Sequence, residues 1–148
     1  MNKKPIVAGN WKMNKTPTQG KEFIHKIENM FSDIQNTEVI FFPAYPGLID
    51  LTLRSPFYLG AQNCHWEDSG AFTGEVSIEM LKEFCVKYII VGHSERRQLF
   101  YENDNMINKK IKAILSANLK PILCIGETIE DRNSGMTENF LENQITKG

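Results

Sequence analysis

The sequence has no long apolar run and no marked excess of charge of either sign. Its 148 residues contain nothing close to the roughly 18 apolar positions that cross a bilayer, and the lysines near its start are not followed by an apolar signal core. The net charge of −1 gives no basic field for nucleic acid and no acidic tail. We therefore expect a cytoplasmic protein without a membrane or nucleic-acid partner, in which a few placed groups hold any anionic ligand.

Cysteine is also scarce, and its spacing does not indicate a paired site. Cys64, Cys85 and Cys124 are odd in number, far apart and without a CxxC pair. Buried free thiols are expected in preference to disulfides or metal ligands. The three histidines share no metal-ligand spacing, so no metal is expected. The sequence also lacks GxGxxG, GxxxxGK(S/T) and GxSxG, the marks of dinucleotide, P-loop and hydrolase sites.

Short apolar runs alternate with helical patterns along the chain. Five runs are too short for helices and apolar without alternation, which predicts parallel strands buried on both faces. They lie at residues 6–8, 39–42, 58–61, 88–91 and 122–125. The β-α order repeats without a linker or domain boundary. The sequence therefore predicts an α/β fold with a parallel sheet, in a single domain over residues 1–148.

The segments between these runs carry a helical period. Phe23, Ile27, Met30, Phe31 and Ile34 predict a first helix with one apolar face. Its start is expected at residues 16–19, where a threonine cap, a proline and a glutamine follow in the order of a capping box. Further helices are predicted near residues 48–51, 78–84, 107–115 (capped by Asn103 or Asp104) and 137–145 (capped by Thr137).

Polar residues follow the predicted strands. They are Asn10 and Lys12 after the first strand, Gln62 and Asn63 after the third, His93, Ser94 and Glu95 after the fourth, and Glu127 after the fifth. The carboxyl ends of parallel strands meet at one edge of a sheet, where ligands bind. The pattern therefore predicts an active site assembled at that edge from distant parts of the sequence.

Each of these residues also has a structural interpretation. Lys12 could be a solvated loop lysine, and His93 a hydrogen-bonded structural histidine. The pair Arg96-Arg97 is more typical of a helix surface or an ion pair than of a phosphate site. Glu127 could cap or bridge loops. The residues alone leave these alternatives open.

Five segments match, in order and spacing, the pattern of one enzyme family. They are AGNWKMN at 8–14, AQN at 61–63, GAFTGE at 70–75, VGHSERR at 91–97 and CIGE at 124–127. Through them the chain resembles the triosephosphate isomerase family over nearly its whole length. The resemblance implies a (β/α)8 barrel, here incomplete with five parallel βα units. It also implies an aldose–ketose isomerase that interconverts dihydroxyacetone phosphate and glyceraldehyde 3-phosphate through an enediolate, without a cofactor.

The resemblance assigns roles to the residues at the sheet edge. Lys12 contacts the substrate phosphate, with Asn10 beside it ordering the pocket. His93 is the electrophile that polarises the carbonyl and shuttles protons as a neutral imidazole, and the helical turn after it would help to keep it neutral. Glu95 and Ser94 support Lys12 and the base.

The third loop is assigned to subunit contact by the same resemblance. Gln62 and Asn63 hold this loop, and its tip enters the other subunit of a homodimer in the full-length enzyme. Thr73, Glu75 and Arg96 form part of that contact.

Three functional parts of the family are expected to be missing from these residues, because the family has eight βα units in about 250 residues. They are the general-base glutamate after the sixth strand, the loop that closes over the substrate, and the glycine-rich phosphate loops of the last two units. We therefore expect the chain alone to be nearly inactive. Two alternatives remain: a self-contained flavodoxin-like binding domain with helices on both faces of its sheet, and a non-catalytic assembly module that pairs through residues 70–75.

Overall fold

The structure is a computed structural model and describes residues 4–31, 33–49, 51, 53 and 55–148. Strands and helices alternate along these residues. The strands are β1 (Ile6–Asn10), β2 (Glu38–Phe42), β3 (Phe57–Ala61), β4 (Tyr88–Val91) and β5 (Lys120–Leu123). The helices are α1 (Pro17–Met30), α2 (Ile78–Lys82), α3 (Ser94–Leu99), α4 (Asp104–Ser116), α5 (Ile129–Asn133) and α6 (Thr137–Lys147), with a 3₁₀ turn at Tyr45–Leu48.

All five strands are parallel and pair in sequence order, β1-β2-β3-β4-β5. A flavodoxin-like sheet reverses its order at a switch point, whereas a barrel adds each strand beside the last. The strands form a curled half-barrel with helices between them. This confirms the predicted incomplete barrel of five βα units, and the flavodoxin-like alternative does not fit it.

The sheet has a different kind of core on each face. On the outer face, alternate strand residues such as Phe41 and Leu59 pack with helix residues such as Ile24, Leu81 and Ile114. The residues between them face the concave side and form a second cluster drawn from strand positions: Ile40, Phe42, Tyr88 and Ile90, with Tyr58, Ile122 and Cys124 against them. Helices therefore cover one face of the sheet, as in a barrel.

Gly60 gives the concave layer room for an aromatic ring. A Cβ on Gly60 would lie 2.1 Å from Cε1 of Phe42, which is fully buried on the neighbouring strand. The ring therefore occupies the space that any larger residue at position 60 would need. This contact lies between β2 and β3, just below the sheet edge that bears the polar residues.

The prediction that every strand is buried on both faces is right for the middle of the sheet and wrong at its margins. Ile6 and Val7 of β1 are 53% and 58% exposed, and β5 is only partly buried. β1 and β5 are the two edges of the described sheet, so fewer neighbours cover them. β5 also begins and ends two residues earlier than predicted, whereas β1 extends through Asn10.

The helices follow the predicted caps more closely than the predicted lengths. The capping box of Thr16 and Gln19 is present, and Asn103 caps α4. The helix predicted through Ile34 ends at Met30, and Met30 and Phe31 are exposed. Ile34 still packs against the core, but from outside the helix.

Three shorter helices also differ from the sequence prediction. Residues 45–48 form a 3₁₀ turn where a helix was expected at 48–51, and position 50 lies outside the described residues. α2 ends at Lys82 rather than at residue 84. Met136 is the N-cap residue of α6, so Thr137 is the first helical residue and not the cap. The capping box of Thr128 and Asp131 that starts α5 was not predicted.

All three cysteines are free thiols, but they are not all buried. Cys64 is buried and Cys124 is partly buried, and burial raises the pKa of both, that of Cys64 to about 12. Cys85 is exposed because it lies in the left-handed turn after α2, at φ 55°, so the prediction of a buried thiol is wrong for it. No helix in the described ranges combines the length and apolar content needed to cross a membrane.

The contact between Gly60 and Phe42 makes the first testable prediction. Gly60→Ala should lower the free energy of unfolding by about 1–3 kcal/mol, because the new methyl group forces the Phe42 ring out of its position. Urea denaturation of the variant and the parent chain measures the difference. Gly126→Ala is the control, since no atom lies within 4 Å of a Cβ built there. Equal losses in the two variants would contradict the packing account.

Candidate functional site

An open cavity of about 480 Å³ lies at the carboxyl edge of the sheet. Predicted site residues from three strand ends line it: Asn10, Lys12, Gln62, Asn63, His93 and Glu95, with Arg96. Side chains that are more than 80 residues apart in sequence therefore meet at one place. The strand-end pattern predicted this arrangement for these residues, whereas Ser94 and Glu127 of the same pattern do not line the cavity.

Lys12 has a backbone conformation that is rare for a residue with a side chain. Its φ is 53°, in the left-handed region, where strain of about 1–3 kcal/mol is typical. Two neighbours hold it there. The Asn10 Oδ1 accepts from the Lys12 N–H at 2.9 Å, and the Gln62 Nε2 donates to the Lys12 carbonyl at 2.9 Å. Gln62 also donates to the Phe42 carbonyl at 2.8 Å, so its side chain ties the loop after β1 to the end of β2.

The Lys12 ammonium forms an ion pair with Glu95. Nζ lies 2.6 Å from Oε1, and the two side chains are 51% and 44% exposed. The hydrogen bond from Lys12 is the main cause that holds the pKa of Glu95 below its ordinary value. An ion pair this exposed contributes little to stability. Its effect is to place the ammonium beside α3, at the rim of the cavity.

His93 caps the amino end of α3 with its ring. Its Nδ1 accepts from the Glu95 N–H at 3.3 Å, while Glu95 Oε2 lies 3.5 Å from the same nitrogen. These contacts require opposite protonation of Nδ1. The amide contact decides, because it is the shorter of the two and has the geometry of a helix-capping hydrogen bond, in which Nδ1 is the acceptor. The neutral ring therefore carries its proton on Nε2, which makes it a hydrogen-bond donor.

A buried polar network lies under the other side of the cavity. The Lys110 Nζ donates to Asn63 Oδ1 at 2.8 Å and to Glu102 Oε1 at 2.5 Å. Arg96 Nε donates to the second Glu102 oxygen at 2.9 Å, and its guanidinium lies 5.1 Å from the centre of the Phe100 ring. Since Lys110 and Glu102 are almost fully buried, the network fixes Asn63 and Arg96 at the cavity wall.

Arg96 and Arg97 each form an ion pair, which is the structural interpretation that the sequence offered for these two residues. Arg97 binds Asp104 at 2.6 Å. Glu127 bridges from its loop to Arg132 of α5 at 2.6 Å, and its own backbone amide followed by that guanidinium holds its pKa low.

The other predicted residues lie outside the cavity. Ser94 is exposed and begins α3. Thr73 and Glu75 lie in the exposed loop between β3 and α2, where the Phe72 ring packs 4.3 Å from His65. Their assigned roles remain expectations.

Sequence reasoning missed three residues that support the cavity. Tyr45 lines it and donates to the Asn63 carbonyl at 2.8 Å, and burial raises the pKa of this phenol. Glu102 and Lys110 form the centre of the buried network. A signal for Lys110 was present: it falls on the apolar stripe of α4, between Ile107 and Ile114, where a lysine needs a buried partner.

The cavity thus combines a lysine cation, an imidazole ring held through Nδ1 and fixed amide groups at an open sheet edge. A lysine ammonium can bind an anion as a point charge, and an imidazole N–H can stabilise an oxygen on which negative charge develops. The described residues therefore suit an anionic substrate that carries a carbonyl group.

The ion pair at the rim leads to a pH prediction. Because Lys12 holds the pKa of Glu95 low, the pair is intact above the ordinary carboxyl pKa of about 4.3 and is lost as the pH falls through the lowered value. Lys12→Met should raise the Glu95 pKa towards the ordinary value, as measured by carboxyl-carbon NMR titration. Lys15→Met is the control, because Lys15 stands 4.6 Å over the Phe23 ring instead. An unchanged Glu95 midpoint in Lys12→Met would contradict this assignment.

Comparison with known proteins identifies the family. The family model described as triosephosphate isomerase matches residues 5–148. The triosephosphate isomerases of Alkaliphilus metalliredigens, Carboxydothermus hydrogenoformans and Acetivibrio thermocellus are 50%, 47% and 46% identical to this chain. The matches cover 97%, 99% and 98% of the chain but only 59% of each relative. By the extent of these matches, and with a half-barrel that agrees with them, this chain belongs to the triosephosphate isomerase family.

Proposed function

We propose that this chain supplies the phosphate-binding lysine and the electrophilic histidine of a triosephosphate isomerase. The whole enzyme would interconvert dihydroxyacetone phosphate and glyceraldehyde 3-phosphate in the cytoplasm, without a cofactor. The observation that carries the proposal is the convergence of Lys12, Asn10, His93 and Glu95 on one open cavity. Family membership supports it, although the chain spans 59% of the relatives it matches.

Lys12 is proposed to hold the substrate phosphate. Its ammonium is half exposed at the cavity rim, so an incoming dianion can reach it without leaving water entirely. The bonds from Asn10 and Gln62 fix its backbone before substrate arrives, which reduces the entropy that binding has to overcome. Glu95 holds the side chain in place in the free protein.

His93 is proposed to act on the carbonyl oxygen. Removing a proton from the carbon beside a carbonyl places negative charge on that oxygen, and a neutral imidazole N–H can stabilise it and pass a proton between the two substrate oxygens. Triosephosphate isomerase is itself the standard example of a neutral histidine used in this way. The bond from the Glu95 amide to Nδ1, which leaves the ring proton on Nε2, supports the same role here.

The two carboxylates at the sheet edge are poor candidates for the general base. The hydrogen bond from Lys12 lowers the pKa of Glu95, and the backbone amide of Glu127 followed by the Arg132 guanidinium lowers that of Glu127. A base works best with a pKa near the operating pH. We infer that the base belongs to a part of the family's length that these 148 residues do not cover.

A complementation experiment tests this proposal. The 148-residue chain alone should show no triose-phosphate turnover above a blank, because positioned acid–base catalysis typically contributes about 10²- to 10⁴-fold. Mixing or co-expressing it with the unmatched portion of the Alkaliphilus metalliredigens relative should restore turnover, since the break falls between βα units. The assay compares each piece alone with the mixture.

Variants in the restored enzyme separate the proposed roles. His93→Gln should lower kcat more than it raises KM, whereas Lys12→Met should impair both severely. Lys15→Met is the matched control and should match the parent. Turnover by the short chain alone would make Glu95 or Glu127 the base. If sedimentation shows that the two pieces form a complex but the complex has no turnover, the result counts against the isomerase proposal.

We also propose that the restored enzyme is a homodimer that uses the loop between β3 and α2. Phe72 in this loop is 43% exposed, and apolar side chains beside the cavity are more exposed still, with Met13 at 95% and Phe100 at 62%. Large exposed apolar side chains are typical of protein interfaces, and here they occur both in the loop and beside the cavity. Thr73 and Glu75 at the tip and Arg96 at the cavity wall would take part.

Sedimentation of the restored enzyme tests the dimer. Thr73→Arg should reduce the mass to that of one complemented protomer, because a long cation at the exposed tip has to be desolvated in the interface. Thr146→Arg, also at an exposed threonine but on α6, is the control and should leave the mass unchanged. A Thr73→Arg enzyme that keeps the parent's mass would place the contact elsewhere.

A further inference from the structure

The Arg97 side chain joins three elements at the sheet edge. Its Nε–H donates to the Gly92 carbonyl at the end of β4 at 2.7 Å, and its Nη2 donates to the Cys124 carbonyl after β5 at 3.3 Å. Its Nη1 binds Asp104 in the first turn of α4 at 2.6 Å. The guanidinium is only 15% exposed. Such a three-way contact uses the planar fork of arginine, which a lysine ammonium cannot reproduce.

Arg97 also bonds both peptide groups that flank His93. Its side chain holds the carbonyl of Gly92, which belongs to the peptide before His93, and its backbone N–H donates to the His93 carbonyl at 3.1 Å. The backbone bond belongs to the first turn of α3 and does not depend on the arginine side chain. The contact specific to the guanidinium is the one to the peptide before His93. The direction of the ring depends on these two peptide planes.

The backbone at Gly92 is shaped around the same guanidinium. Gly92 has φ 70°, and a Cβ there would lie 3.0 Å from Arg97 Nη2 and 2.9 Å from Ile107 Cδ1. The arginine thus fills the space that a side chain at position 92 would take. The guanidinium can occupy this position because residue 92 is a glycine, which also adopts the left-handed turn before His93.

We propose that Arg97 is a positioning residue for His93. By holding the Gly92 carbonyl in the peptide before His93, its guanidinium keeps Nδ1 in line with the Glu95 N–H and so keeps the ring proton on Nε2. Without the guanidinium the ring can leave this bond, and the proton distributes over both nitrogens. The use of this tautomer in catalysis rests on the proposed function, whereas the tautomer itself is a property of the chain alone.

Nitrogen NMR of the histidine rings in the 148-residue chain tests this proposal. Neutral His93 should show one protonated and one unprotonated ring nitrogen, with the proton on Nε2, and His93→Gln assigns its signals. Arg97→Met should shift both His93 nitrogens towards the average of the two tautomers. Arg97→Lys keeps the charge near Asp104 but loses the fork, so it should preserve the fold and still shift the His93 signals.

His65 provides an internal control. Its Nδ1 accepts from the Glu67 N–H at 3.1 Å, which is the same local bond, and its ring is stacked on Trp66 rather than beside the arginine. Its signals should not change in either variant. Parent-like His93 signals in a folded Arg97→Lys chain overturn the proposal even if Arg97→Met does not fold, and equal shifts at His65 and His93 do the same.

Kinetics of the complemented enzyme give the functional readout. Arg97→Lys should lower kcat by about 10²-fold with little change in KM, as expected when a reacting group is displaced but substrate binding is kept. Equal losses in kcat and affinity would overturn the catalytic part of the proposal. If the parent complex is inactive while the His93 tautomer still shifts in Arg97→Lys, the proposed function fails and the positioning role of Arg97 stands.

Discussion

Parallel pairing in sequence order is the constraint on which the site depends. Asn10 lies opposite Phe42, and Val91 opposite Leu123, so every strand presents its carboxyl end at the same edge. The loops that follow the strands therefore all begin at that edge. Lys12 and Glu95 meet at 2.6 Å for this reason, and not because of any local signal in their own segments. A slip in the register of one strand would separate them.

Charge under the cavity is held in a different way from charge at its rim. The side chains of Lys12 and Glu95 are about half exposed to solvent, whereas those of Lys110 and Glu102 are almost fully buried. Removing one partner of a buried pair typically costs about 3–5 kcal/mol, because the other charge is left uncompensated. The buried pair is therefore a fixed support for Asn63, while the rim pair can exchange its partner for a ligand at little cost.

The sequence predicted the parts of the structure that depend on local patterns. The strand-end rule brought Lys12 and His93 to one edge, and the capping box placed the start of α1 correctly. It failed where burial depends on distant neighbours. Ile6 looks like a core residue but lies at a sheet edge, and Lys110 looks like a surface residue but is buried. Its partner Glu102 has no local mark at all, because only the packing of α4 against the sheet makes that carboxylate necessary.

Selection for folding and selection for chemistry act in opposite directions at position 12. A left-handed residue with a side chain is strained, and glycine there would remove the strain. That same change would delete the cation from the cavity rim. A library screened only for solubility or thermal stability would therefore favour the loss of Lys12, and with it the loss of the site. The strain at this lysine would be a local cost in stability for the proposed phosphate contact, so the most stable version of this half-barrel would lack that contact.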